Sequence, residues 1–145
     1  MLKGIPKILS PELLKVLSEM GHGDRLVIAD GNFPTQSMGK NVIVVRMDGH
    51  GVPEILDAIL TLFPLDTYVE KPVSLMELVP GDQVETPIWD VYKSIIKKYD
   101  DRGGDAVSQI ERFAFYEEAR KVYLIIATGE SALYANVMLQ KGVVI

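Results

Sequence analysis

Glu130-Ser131-Ala132-Leu133-Tyr134-Ala135-Asn136 sets an aromatic hydroxyl and a side-chain amide two residues apart, between apolar runs near the C-terminus. Three other segments carry complementary groups: Gly21-His22-Gly23-Asp24, Asp30-Gly31-Asn32-Phe33-Pro34 and Arg112-Phe113-Ala114-Phe115-Tyr116-Glu117. Together they offer an imidazole to move a proton, a carboxylate, a guanidinium and groups that both give and accept hydrogen bonds. That set suits a small ligand dense in hydroxyls, such as a sugar.

Each group also has a plainer use. His22 is one of two histidines, the residue type best suited to shuttle protons near neutral pH; in a glycine turn it could equally bond a backbone carbonyl. Asp30 could accept from two vicinal hydroxyls or hold a histidine tautomer, and Asp-Gly is also a common turn pair. Arg112 among aromatic rings could fork onto ligand oxygens while stacked, or pair with Glu111, Glu117 or Glu118. Tyr134 and Asn136, if extended, face the same side; the alternative is a wet loop with a buried tyrosine body. His50, in Asp48-Gly49-His50-Gly51, has nothing near it that suggests chemistry.

The elements that must position these groups alternate along the chain. Ser10 can cap a helix with Pro11 in its first turn, Leu13, Leu14, Val16, Leu17 and Met20 recurring at helical spacing, and Gly21 as a stop. Residues 26–29 read as a short strand buried on both faces, and 42–45 as a second. Pro53 opens a helix with Ile55, Leu56, Ile59, Leu60 and Phe63 inward, stopped by Pro64. Residues 73–79 suggest another strand. Thr86-Pro87 opens a helix through Tyr99, and 100–105 form a loop. Residues 109–112 are predicted as a strand followed by a short helix through Arg120. Residues 122–128 give the clearest strand, and 142–145 the last. Such alternation predicts a single α/β domain over residues 1–145, a sandwich with a mainly parallel central sheet flanked by helices.

In open α/β sheets ligands bind beyond the carboxyl ends of strands. Asp30 and Thr128-Gly129-Glu130 follow strands directly. His22 precedes the strand that Asp30 ends, so the two would lie at opposite ends. One site containing both needs a bent connection or a neighbouring subunit.

Composition narrows the classes. The chain has 145 residues, 48% of them apolar, and a net charge of −5 with its cations scattered. Nucleic acid and anionic membrane are therefore not expected partners. The absence of cysteine excludes disulfides and thiolate chemistry, and two histidines without cysteine make a zinc site a poor expectation. No apolar run approaches the roughly 18–20 residues of a membrane helix. No signal peptide or Asn-x-Ser/Thr sequon is read, so a cytoplasmic protein is expected. Gly21-x-Gly23 and Gly49-x-Gly51 lack the third glycine of a dinucleotide fingerprint, and there is no phosphate loop, His-Glu-x-x-His motif or serine elbow.

The order and spacing of the four segments resemble the family of L-fucose mutarotase and D-ribose pyranase. The resemblance runs essentially end to end. It includes Ile8-Leu9-Ser10-Pro11-Glu12-Leu13-Leu14, Met20-Gly21-His22-Gly23-Asp24, Asp30, Phe33-Pro34, Ser37-Met38-Gly39, Arg112-Phe113-Ala114-Phe115-Tyr116-Glu117, Thr128-Gly129-Glu130, Tyr134-Ala135-Asn136 and Lys141-Gly142-Val143. The Ser-Met-Gly and Arg-Phe-Ala-Phe-Tyr-Glu blocks resemble the fucose branch; the ribose branch usually has histidine at the position of Arg112. Gly31-Asn32 departs from the Ala-His frequent in fucose relatives.

The resemblance implies His22 as proton donor and Asp30, Arg112, Tyr134, Ala135 and Asn136 as sugar-binding positions, with Tyr116 assisting. It implies a mutarotase that interconverts anomers of a reducing sugar by ring opening and reclosure, without cofactor or metal. It also implies a homo-oligomer, often a decamer, with sites at subunit interfaces. The rival readings are a D-ribose pyranase, a non-catalytic sugar-binding module and, more remotely, a phosphate-binding α/β module.

Overall fold

The structure is a computed structural model that describes residues 1–145. Helix α1 (Pro11–Glu19) starts where the sequence places it: Ser10 Oγ accepts the Leu13 N–H at 3.1 Å, and Pro11 occupies the first turn. Then follow β1 (Arg25–Ala29), α2 (Thr35–Met38), β2 (Ile43–Met47), α3 (Val52–Leu60), β3 (Val73–Met76), α4 (Pro87–Tyr99), a 3-10 turn (Gly103–Ala106), β4 (Val107–Ile110), α5 (Arg112–Ala119), β5 (Leu124–Thr128) and β6 (Val137–Gln140).

The six strands form one sheet in the order β2-β5-β1-β6-β3-β4. The pairs β2–β5, β1–β5 and β3–β4 are parallel, whereas β6 runs antiparallel to both β1 and β3. Five strands therefore point one way and β6 alone points back. The carboxyl ends of β1, β3 and β4 meet the amino end of β6 at one edge.

Strand alternation divides the core. Leu26, Ile28, Leu124, Ile126, Val137 and Leu139 face a large cluster shared with α1, α3 and α4. Val27, Ala29, Ile125 and Met138 face a smaller one with Phe33, Phe115 and Ala119. Both faces are covered, so these strands carry the near-continuous apolar runs that the sequence shows.

Several predicted boundaries move: the strand expected over 73–79 ends at Met76, and that expected over 122–128 begins at Leu124. The last strand is Val137–Gln140, while Val143, Val144 and Ile145 are exposed and unpaired. The strand expected over 109–112 is Val107–Ile110, and it stops there because the Glu111 carboxylate caps α5 by accepting the N–H groups of Phe113 and Ala114 at 2.9 and 3.0 Å. Helix α3 stops at Leu60, before Phe63 and Pro64.

Candidate active site

Four neighbouring strands bring residues to one edge of the sheet. Asp30 directly follows β1, Met76 ends β3, Arg112 follows β4 by two residues, and Asn136 directly precedes β6. These residues line a cavity of about 270 Å³ together with Asn32, Phe33, Asp82, Tyr116, Leu133 and Tyr134.

Asp30 and Asn136 are both buried and lock each other in place. The Asp30 N–H donates to Asn136 Oδ1 at 2.8 Å; Asp30 Oδ1 accepts from Asn32 N at 3.0 Å, and Oδ2 accepts from Ala135 N at 3.3 Å. With its oxygen engaged, Asn136 offers the cavity its two amide N–H donors. Burial pushes the Asp30 carboxyl above its ordinary value, and the backbone donors offset that only in part.

Tyr134 is the single non-glycine residue with positive φ, at 55°. That left-handed geometry costs on the order of 1–2 kcal/mol, so the segment needs anchors. Helix α4 provides them. Trp89 Nε1 donates to the Tyr134 carbonyl at 2.8 Å, and the Tyr92 hydroxyl donates to the Ala135 carbonyl at 2.7 Å. At its other end, the Tyr134 hydroxyl donates to Asp82 Oδ2 and accepts the Val79 N–H. The segment is thus a turn, the loop alternative and not the extended one, and Tyr134 and Asn136 both line the cavity. Ala135 is fully buried, does not line the cavity and has its N–H and carbonyl bonded inside the chain.

Arg112 makes no ion pair with Glu111, Glu117 or Glu118. Glu111 is the helix cap, while Glu117 pairs with Arg120, and Glu118 with Arg25 and Lys121. The guanidinium instead lies 5.7 Å from the Phe113 ring centre and 5.6 Å from that of Tyr116, with Nε donating to the Tyr116 hydroxyl at 3.4 Å. Its charge is held by stacking and stays open to a ligand.

His22 lies elsewhere. Its turn precedes β1, at the opposite edge of the sheet from Asp30. Five strand residues at about 3.3 Å each keep the two further apart than a hydrogen bond or a single bridging water can span. The partner of His22 is Asp66, whose Oδ1 is 3.1 Å from Nε2, and Tyr68 lies against its ring at 5.1 Å between centroids. His50 bonds Glu54 in the first turn of α3, four residues on.

Within one chain, then, Asp30, Arg112, Tyr116, Tyr134 and Asn136 share a cavity, Ala135 supports it from below, and His22 stands apart. Sequence reasoning missed Asp82 and Asp66. Both enter through contacts spanning more than 40 residues, and no local pattern marks either one.

The profile of the RbsD / FucU transport protein family matches residues 3–144. Fucose mutarotase of Homo sapiens is 51% identical over 148 residues, spanning 98% of this chain and 94% of that protein. The crystal structure of FucU from Bifidobacterium longum has a TM-score of 0.98 at 72% identity, covering 99% of this chain and 100% of that one. The fucose mutarotase of Streptococcus pneumoniae in complex with L-fucose has a TM-score of 0.92 at 46% identity, over 99% of this chain and 100% of that one. A profile match over nearly the whole length and a shared backbone lead to one assignment: the chain belongs to the RbsD / FucU family.

Proposed function

We propose that this chain is an L-fucose mutarotase, an isomerase that interconverts the α and β anomers of the sugar. The observation that carries the reading is the convergence of Asp30, Arg112, Tyr134 and Asn136 on one small cavity at a single sheet edge. Relatives named fucose mutarotase at about half identity over the full chain support it.

The reaction moves two protons and breaks one bond. The anomeric hydroxyl loses its proton as the bond between the anomeric carbon and the ring oxygen breaks, and the ring oxygen takes up a proton. The open-chain aldehyde rotates, and the hydroxyl recloses on its other face with the protons returned. Acid–base assistance of this kind is worth about 10²–10⁴-fold. In the proposed site Asp30 accepts from sugar hydroxyls, Asn136 donates to them, Arg112 holds an oxygen pair, and Phe33 and Tyr116 supply an apolar wall.

His22 is proposed as the acid for the ring oxygen. Its distance from Asp30 within one chain supports a homo-oligomer in which His22 of one subunit completes the cavity of its neighbour; a decamer is the assembly we propose. A cytoplasmic location fits the same reading, and no helix is long and apolar enough to cross a membrane.

Saturation-transfer NMR on L-fucose and D-ribose, with and without the protein, tests the function. Accelerated exchange between fucose anomers, faster than for ribose, is expected. No acceleration on either sugar, with fucose still bound, would replace the enzyme with a sugar-binding module.

A further inference from the structure

The loop holding Asp66 is fixed more firmly than a connection between a helix and a strand requires. Leu65 forms an isolated bridge with Lys141, the Asp66 N–H donates to the Gln140 carbonyl at 3.1 Å, and the Gly142 N–H donates to the Pro64 carbonyl at 2.8 Å. From the far side Arg102, itself clamped by Asp100, donates to the carbonyls of Asp66 and Val69 at 3.1 and 2.9 Å. The His22 turn is tied to the same strand end: Gly23 N–H donates to the Lys141 carbonyl, and Lys141 N–H to that of Asp24. Two loops 44 residues apart are thus held in fixed register by the end of β6.

The product of that register is a carboxylate under an imidazole. The Asp66 side chain is only 3% exposed, while that of His22 is 45% exposed. Asp66 Oδ1 accepts the Tyr68 N–H at 2.9 Å and faces His22 Nε2, and Oδ2 accepts from Gln140 Nε2 at 2.9 Å. Desolvation pushes the Asp66 carboxyl up, but the donors from Tyr68, Gln140 and His22 outweigh it and hold it below the ordinary value. An ionised carboxylate only accepts, so Nε2 must carry a proton. Nδ1 has no partner in the chain and is the nitrogen left for a ligand.

We propose that Asp66 is a positioning residue for His22: it holds the ring by Nε2 and makes Nδ1 the nitrogen that exchanges the proton with the sugar ring oxygen. An aspartate that fixes a histidine's tautomer and orientation serves the same purpose in the hydrolase triad. The proposal rests on the mutarotase reading, in which His22 is the acid.

The chain has two histidines, so ¹⁵N-resolved NMR of the imidazoles is simple, and His50→Gln assigns them. In the wild-type protein the neutral imidazole of His22 is expected as the Nε2–H tautomer. Asp66→Ala should give mixed tautomers and a kcat for fucose exchange about 10–100-fold lower, with KM within about threefold. Asp66→Asn keeps an acceptor for Nε2–H, so it should hold the tautomer and recover part of kcat. A wild-type His22 with its proton on Nδ1 overturns the proposal, whether or not the protein is active. So does an Asp66→Ala protein that folds and keeps full kcat while His22→Ala loses it. Failure of the wild-type protein to exchange anomers at all overturns the functional reading instead, and the tautomer still reports on Asp66.

Discussion

The backbone N–H of Asp30 donates to the side-chain oxygen of Asn136 at 2.8 Å, joining the carboxyl end of β1 to the amino end of the one reversed strand. The amide therefore serves the fold with its oxygen and the cavity with its nitrogen. Asn136→Ala removes both. A buried N–H without a partner costs about 1–3 kcal/mol, so thermal unfolding should move down by several degrees. KM for L-fucose should also rise. A variant with unchanged Tm would mean that Asp30 N–H has another acceptor.

Arg112 gives the opposite expectation. It is exposed and has no carboxylate partner, so Arg112→Ala should leave Tm nearly unchanged. A charged hydrogen bond is worth about 1.5–3 kcal/mol, which predicts fucose binding about 10–100-fold weaker. Arg112→His should weaken L-fucose more than D-ribose, as read by NMR titration of both sugars. Equal losses would separate Arg112 from sugar choice.

The two buried aspartates should make binding and stability respond to acid differently. Burial raises the Asp30 carboxyl, so on acidification it protonates before an exposed aspartate would, and KM for fucose should begin to rise above the ordinary aspartate value near 3.8. Asp66 is lowered, so its stabilising contribution is present above that value and is lost as pH falls through its folded-state pKa. The Tm gap between wild type and Asp66→Asn should be widest near neutral pH and close below about pH 4. A gap independent of pH would show that the carboxylate charge at Asp66 adds nothing.

Trp89 and Tyr92 test whether α4 sets the geometry of the site. Trp89→Phe and Tyr92→Phe each leave one carbonyl, of Tyr134 or Ala135, without its donor. Each should cost about 1 kcal/mol, or roughly 3–5 °C in Tm. Because Tyr134 needs its anchors to hold a φ of 55°, Trp89→Phe should raise KM more than Tyr92→Phe. Equal KM for both variants and wild type would leave the anchors a purely structural role.

Much of this was legible in the sequence because it is local. Ser10-Pro11 announces α1, and the apolar runs of β1 and β5 mark strands covered on both faces. The separation of His22 from Asp30 follows from one preceding and the other ending the same strand. What was not legible depends on distant partners. Val137-Met138-Leu139 is a short apolar stretch after a polar turn, and it is a strand because β1 and β3 flank it. Val143-Val144-Ile145 has equal strand propensity but no neighbour, and stays unpaired. The Tyr134 turn needs Trp89, and Asp66 acquires its role only by meeting His22, 44 residues away.

Gly142 offers a way to reach that last contact without touching either of its residues. A Cβ there would lie 2.6 Å from the Leu65 carbonyl oxygen and 2.9 Å from Asp66 Cα. The obstruction is backbone, so the loop itself must give way. Gly142→Ala should therefore displace Asp66 relative to the His22 turn, which is fixed to Lys141 independently. Its expected signature is a lower kcat with KM for fucose nearly unchanged, since the cavity around Asp30 and Arg112 is at the other edge of the sheet. A rise in KM at constant kcat would mean that the displacement travels along β6 to Asn136 and that the two edges are not independent.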